Sequence, residues 1–220
     1  TADALYDGFG SAHNIVINET SGFAYAVGAM TFDDSTRSFN GGPHFVNIQN
    51  PTNPIAAGGY ADDAYSHDAQ VVTYNGPDTE HVGKELLIGS NTNEVVIIDV
   101  SDKSNPIQIA TIEYLDIGYT HQGWFTEDQQ YFLLGDELDE VNSGFNSRTI
   151  VFDLSDLDNP SVSMSYTGPT TAIDHNGYTK GDTYFLANYT AGLRVLDISN
   201  IGGNQIEETG YFDTYPLNDN

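Results

Sequence analysis

The stretch from His67 to Pro106, HDAQVVTYNGPDTEHVGKELLIGSNTNEVVIIDVSDKSNP, carries the reading of the whole chain. It opens on a histidine with an acidic neighbour, passes through three short apolar runs, and closes on an Asn-Pro step. The runs Val71-Val72, Leu86-Leu87-Ile88 and Val95-Val96-Ile97-Ile98 supply the β-branched and aliphatic bulk that suits a pleated, half-buried surface. Turn-forming clusters separate them: Asn75-Gly76-Pro77-Asp78, Ser90-Asn91-Thr92-Asn93 and Lys103-Ser104-Asn105-Pro106. The strands expected in this unit are 67–74, 85–90, 94–100 and 107–114.

Outward from this stretch the pattern recurs. His13, His67, His121 and His175 stand at intervals of 54 residues, followed by Asn14, Asp68, Gln122 and Asn176. A second marker keeps the same phase: Val96-Ile97-Ile98-Asp99-Val100-Ser101, Ile150-Val151-Phe152-Asp153-Leu154-Ser155 and Arg194-Val195-Leu196-Asp197-Ile198-Ser199, with His44 to Gln49 as the first copy. Asn53-Pro54, Asn105-Pro106 and Asn159-Pro160 follow three of them. A fixed period determines the architecture before any local assignment. Four short strands per period, with no helical periodicity, give an all-β fold of β-propeller type. The third unit predicts strands at 121–126, 130–135, 148–154 and 161–166, and the fourth at 175–179, 182–188, 192–198 and 206–213.

The expected organisation is one β-propeller domain over 1–220. Residues 1–12 read as the last strand of a preceding blade, and blades follow at 13–66, 67–120, 121–174 and 175–220. That phase predicts an arc of a larger, six- or seven-bladed propeller, whose exposed blade flanks favour self-association.

Thirty-two acids against six bases give a net charge of -26, which sets the chain against nucleic acid and anionic membrane surfaces as partners. No run approaches the roughly 18 apolar residues of a transmembrane helix, so no direct membrane insertion is expected. With no cysteine there is neither a disulfide framework nor thiol chemistry. Phosphate loops, dinucleotide fingerprints and nucleophile elbows are absent from the sequence.

Six segments in order, SAHNIVINETSGFAYAVG (11–28), YSHDAQVVTYNGPDT (65–79), GYTHQGWFTEDQQYFLLGDELDE (118–140), RTIVFDLSDLDNP (148–160), AIDHNGY (172–178) and ANYTAGLRVLDIS (187–199), resemble the choice-of-anchor B family of bacterial surface proteins built from LVIVD-type repeats. The resemblance implies a β-propeller, export, and an extracellular or cell-envelope location. It implies no biochemical activity.

Candidate chemistry centres on the histidines. Each opens the innermost strand of its unit, and alternation along a strand turns a histidine and its neighbour to opposite faces. Counting strand directions places the histidines on the same rim as the two longest loops, Ala29 to Gly42 with Asp33 and Asp34, and Asp136 to Ser147 with Asp136, Glu137, Asp139 and Glu140. Imidazole with carboxylate suits zinc or another transition metal; the carboxylates alone suit calcium or another hard divalent cation. The competing role for His13, His67, His121 and His175 is structural, bonding turn backbone and neighbouring strands, as befits a residue inherited by every repeat.

His44 and His81, off the lattice, read as surface or turn residues, and Trp124 as a packing residue. The expected function is a non-enzymatic binding module for a protein, glycan or small-molecule ligand. A metal-dependent hydrolase or lyase, with His67, His121 and His175 as ligands and Asp136 or Glu137 as base, is the enzymatic alternative. A structural envelope or filament component is the third.

Overall fold

The computed structural model describes residues 3–63 and 65–218. Their strands form four antiparallel sheets of four strands each. The first holds β1 (Asn14–Asn18), β2 (Phe23–Val27), β3 (His44–Asn47) and β4 (Ile55–Gly59). The second holds β5 (Asp68–Thr73), β6 (Glu85–Ser90), β7 (Val95–Asp99) and β8 (Ile107–Ile112). The third holds β9 (Thr120–Phe125), β10 (Tyr131–Asp136), β11 (Arg148–Asp153) and β12 (Ser161–Thr167). The fourth holds β13 (Gly177–Lys180), β14 (Thr183–Asn188), β15 (Gly192–Asp197) and β16 (Glu207–Phe212). In each sheet the strands lie in chain order, joined as a meander. The sheets agree with the propeller-blade expectation strand by strand.

Two compact units emerge. One comprises the chain up to Tyr74 with His81–Thr111, and so the first two sheets; the other comprises Asn75–Glu80 and the chain from Ile112 onward. Each has its own core. In the first, Tyr25, Val27 and Phe45 of one sheet pack against Val71, Leu87, Val96 and Ile98 of the next. In the second, Leu133 and Val151 pack against Tyr184, Leu186 and Leu196. Each such side chain contributes about 1.5–3 kcal/mol through burial. In every sheet the fourth strand is the most solvent-exposed, and in the second and third sheets the first three strands are largely buried.

The recurring aspartate explains why the third strands stop where they do. Asp99, Asp153 and Asp197 each accept a hydrogen bond from the backbone N–H two residues on, at Ser101, Ser155 and Ser199. An aspartate that bonds its own downstream backbone turns the chain and ends the ladder.

The 54-residue period reappears as hydrogen bonds between first strands. In the first unit the Asn14 amide donates to Asp68 Oδ2 at 2.9 Å, and Asn18 to Thr73 Oγ1 at 3.1 Å. In the second, the Gly177 N–H donates to Gln122 Oε1 at 2.8 Å, Thr179 to the Phe125 carbonyl, and the Gly181 N–H to Glu127. Asn14, Asp68 and Gln122, three of the four polar residues that follow the lattice histidines, therefore tie neighbouring first strands together.

Two expectations need correction. Residues 3–12 form no strand: Ser11 makes one bridge with Met30, and Tyr6 and Phe9 pack edge-on to the His44 ring. His44 is not a surface residue but a buried member of β3, 5% exposed, with Ser38 and Tyr6 on its two ring nitrogens. His81 does lie in a turn, yet it is buried and receives a hydrogen bond from Lys84. Trp124 packs as expected, its ring edge-on to Tyr178 of the adjacent first strand.

Candidate metal centre

In the second unit the site is built from the end of β10. The register slips between Gly135 and Asp136, so Asp136 leaves the regular ladder. Its fully buried carboxylate accepts the Tyr119 N–H at 2.6 Å, the Gly118 N–H at 2.8 Å and the Tyr114 hydroxyl at 2.9 Å. Asp136 thus pins the turn that leads into β9 and has little left to offer an ion. The next residue follows from that anchor. The Glu137 N–H bonds the Tyr119 carbonyl, and its carboxylate reaches the histidines.

Glu137 Oε2 stands 3.5 Å from His121 Nε2, and Oε1 stands 3.8 Å from His175 Nε2. The two imidazoles lie side by side with centroids 4.3 Å apart and planes inclined by 43°. The Tyr189 hydroxyl donates to Glu137 Oε1 at 2.5 Å, and that bond, with burial behind it, pushes the phenol up to about 12. The His121 side chain is 3% exposed, Glu137 18% and His175 40%, so the group opens to solvent through His175. Two imidazole nitrogens and one carboxylate, with a side open, form a donor set that suits a divalent transition metal.

The remaining acidic candidates of this loop lie elsewhere. Asp139 and Glu140 begin a one-turn helix, α1 (Asp139–Ser143), and are buried beneath the loop. Asp139 Oδ2 accepts Arg148 Nε at 2.6 Å. Glu140 Oε1 accepts the Asp174 N–H at 3.1 Å. Asp174, fully buried, was absent from the sequence-based candidates; its one sequence cue is that it directly precedes lattice His175.

The first unit uses its histidines differently. His13 Nδ1 donates to the His67 carbonyl at 2.8 Å, with ring centroids 3.7 Å apart, so this pair serves the packing of β1 on β5. Gly28, just before the Ala29–Gly42 loop, lies against His13: a Cβ there would stand 2.8 Å from His13 Cβ. The acids of that loop turn away. Asp33 accepts from Thr31 and Ser35 in its own loop, and Asp34 accepts from Ser11. Arg37 stacks its guanidinium 4.1 Å from the centroid of the Tyr65 ring, whose hydroxyl in turn reaches His67 Nδ1 at 3.3 Å.

Comparison with known proteins adds the following. The LVIVD repeat family model matches residues 83–113, which span β6, β7 and β8. No curated protein matches the chain. Among solved structures, the chain is similar to a protein from Lactobacillus plantarum, with TM-score 0.61 and 13% identity over 91% of this chain and 57% of that one. It is also similar to the periplasmic gluconolactonase of Pseudomonas aeruginosa, with TM-score 0.61 and 11% identity over 93% of this chain and 54% of that one. Hydrazine synthase of Kuenenia stuttgartiensis gives TM-score 0.57 and 12% identity over 86% and 53%. The chain spans little more than half of each of these proteins. At such identities the likeness shows a β-propeller fold and nothing of activity.

Proposed function

We propose that this chain belongs to an exported, cell-surface propeller of choice-of-anchor B type and acts as a non-enzymatic binding module, engaging its partner through a divalent transition-metal ion held by His121, His175 and Glu137. The observation that carries this reading is the convergence of two imidazole Nε2 atoms on the two oxygens of one carboxylate, at 3.5 and 3.8 Å. An open metal position on a rim recognises carboxylates, hydroxyls or imidazoles of a protein, glycan or small molecule. The LVIVD match and the six motif segments support the family assignment and, with it, the surface location.

The test is calorimetric titration of the chelator-stripped protein with Zn²⁺. One ion is expected to bind, and His175→Ala or Glu137→Gln is expected to weaken binding at least about tenfold, or ~1.4 kcal/mol. No uptake, or uptake indifferent to both variants, would contradict the reading.

A second reading is kept because the same donor set fits metal-assisted hydrolysis, and because one similar structure is named a gluconolactonase. There Glu137 would act as base on a metal-bound water. Turnover of aldonolactones by the Zn²⁺-loaded protein, lost in Glu137→Gln while the metal stays bound, would select it.

A further inference from the structure

Beneath the rim, in the same unit, lies a second group of donors with a different character. Asp139, Glu140 and Asp174 are 0%, 7% and 0% exposed, and one oxygen from each lies within 4.8 Å of the others. Among the described residues one cation answers them: Arg148 bonds Asp139. Asp139 Oδ1, Glu140 Oε2 and both oxygens of Asp174 face no hydrogen-bond donor. Three buried carboxyl groups with one guanidinium leave two charges uncompensated, which the interior tolerates only if protons or a further cation are supplied.

An independent feature points into the same place. Thr149 of β11 is fully buried and its Oγ1 has no partner. Thr149 pairs with Gly135 of β10, and directly opposed residues of an antiparallel pair present their side chains to one face. That face is the one on which a Cβ at Gly135 would collide with Asp174 Oδ2. The glycine keeps the space open, and Thr149 presents its side chain to the same face. Thr149 is neutral and belongs to a different element, so its orphaned oxygen is not a consequence of acid clustering.

We propose that Asp139, Glu140, Asp174 and Thr149 form a buried site for a hard divalent cation of the calcium class, which fastens the β10–β11 loop to the segment entering β13. The donor set is all oxygen, without imidazole or thiolate, and calcium accepts irregular oxygen cages more readily than magnesium does. Because Glu137 stands two residues before the start of α1, occupancy of this site steadies the rim carboxylate from below. The site shares no residue with the rim centre and stands whether or not that centre binds metal.

The experiment uses the full chain stripped with chelator, Ca²⁺ as the probe, and calorimetry with thermal melts at pH 7.5. One equivalent is expected to bind with a dissociation constant of about 10⁻⁵–10⁻³ M. Saturating Ca²⁺ is expected to raise the melting temperature by about 5–10 °C. Asp174→Asn and Glu140→Gln should each abolish both responses, whereas His175→Ala should keep them, which separates this site from the rim. The wild-type titration stands alone if a variant does not fold. Absence of heat and of any melting shift in the wild type means that shared protons hold the acids, and overturns the proposal. Survival of the Ca²⁺ response in both acidic-site variants overturns it equally.

Discussion

At the scale of single residues, the firmest electrostatic feature is Glu85. Buried in the first unit, it accepts Lys103 Nζ at 2.8 Å, the Tyr25 hydroxyl at 2.7 Å and the Ser21 hydroxyl at 2.7 Å. Lys103→Met removes the cation paired with that carboxylate while sparing much of the side-chain volume. Breaking such a pair leaves a buried charge, so the expected loss is about 3–5 kcal/mol in chemical denaturation, with activity-independent readout. Buried tyrosines set a second expectation. Burial raises Tyr25, Tyr114 and Tyr184, and Tyr60 up to about 12 with Asp63 and Asp62 adding to it. The folded state then holds more protons than the unfolded chain above the ordinary phenol range. Stability is fully present below about pH 10 and falls as pH rises from there toward 12. Melts across that window, followed with phenolate absorbance, should show tyrosine ionisation arriving together with unfolding; ionisation of all tyrosines without loss of structure would refute the burial assignments.

At the scale of elements, the strands were legible because each is a short apolar run bounded by Asn, Gly, Ser or Pro, and the repeat supplied four attempts at the same register. β6 and β11 begin where the turn residues place them. The helix α1 was not legible: five residues cannot show a 3.6-residue period, and its first two acids read as solvent-facing loop. For the same reason the loop carboxylates looked alike in sequence, yet Asp136 anchors backbone, Glu137 reaches the rim and Asp139 and Glu140 are buried. Asp174 was missed because its partners come from a loop 34 residues upstream, brought near only by packing. The anchor role gives a direct expectation. Asp136→Asn places an amide donor against the Gly118 and Tyr119 N–H groups, and should destabilise the second unit by about 2–4 kcal/mol. It should also weaken Zn²⁺ binding, since Glu137 takes its position from that turn. Hydrogen exchange at Gly118 and Tyr119 is the local check, with faster exchange expected in the variant.

At the scale of the whole chain, the balance of 32 acids against six bases makes self-repulsion a general term. Raising NaCl from about 0.01 to 1 M shortens the screening length from ~30 to ~3 Å, so the melting temperature should climb over that range; a fall would show that attractive pairs outweigh repulsion. The same surplus of carboxylates raises the local concentration of cations around the protein. The lattice histidines were visible in sequence as a period, and the period turned out to be the hydrogen-bonded spacing between first strands. What the period could not convey is that the two units use their histidines differently: His13 is committed to the His67 carbonyl, whereas His121 and His175 converge on Glu137. The most direct measurement is anomalous diffraction at the zinc edge from crystals grown with Zn²⁺. The expected result is a peak bonded to His121 Nε2, His175 Nε2 and a Glu137 oxygen at roughly 2.0–2.2 Å. Crystals with zinc in the mother liquor, no anomalous density at these three side chains, and the Glu137–histidine contacts unchanged would contradict the assignment.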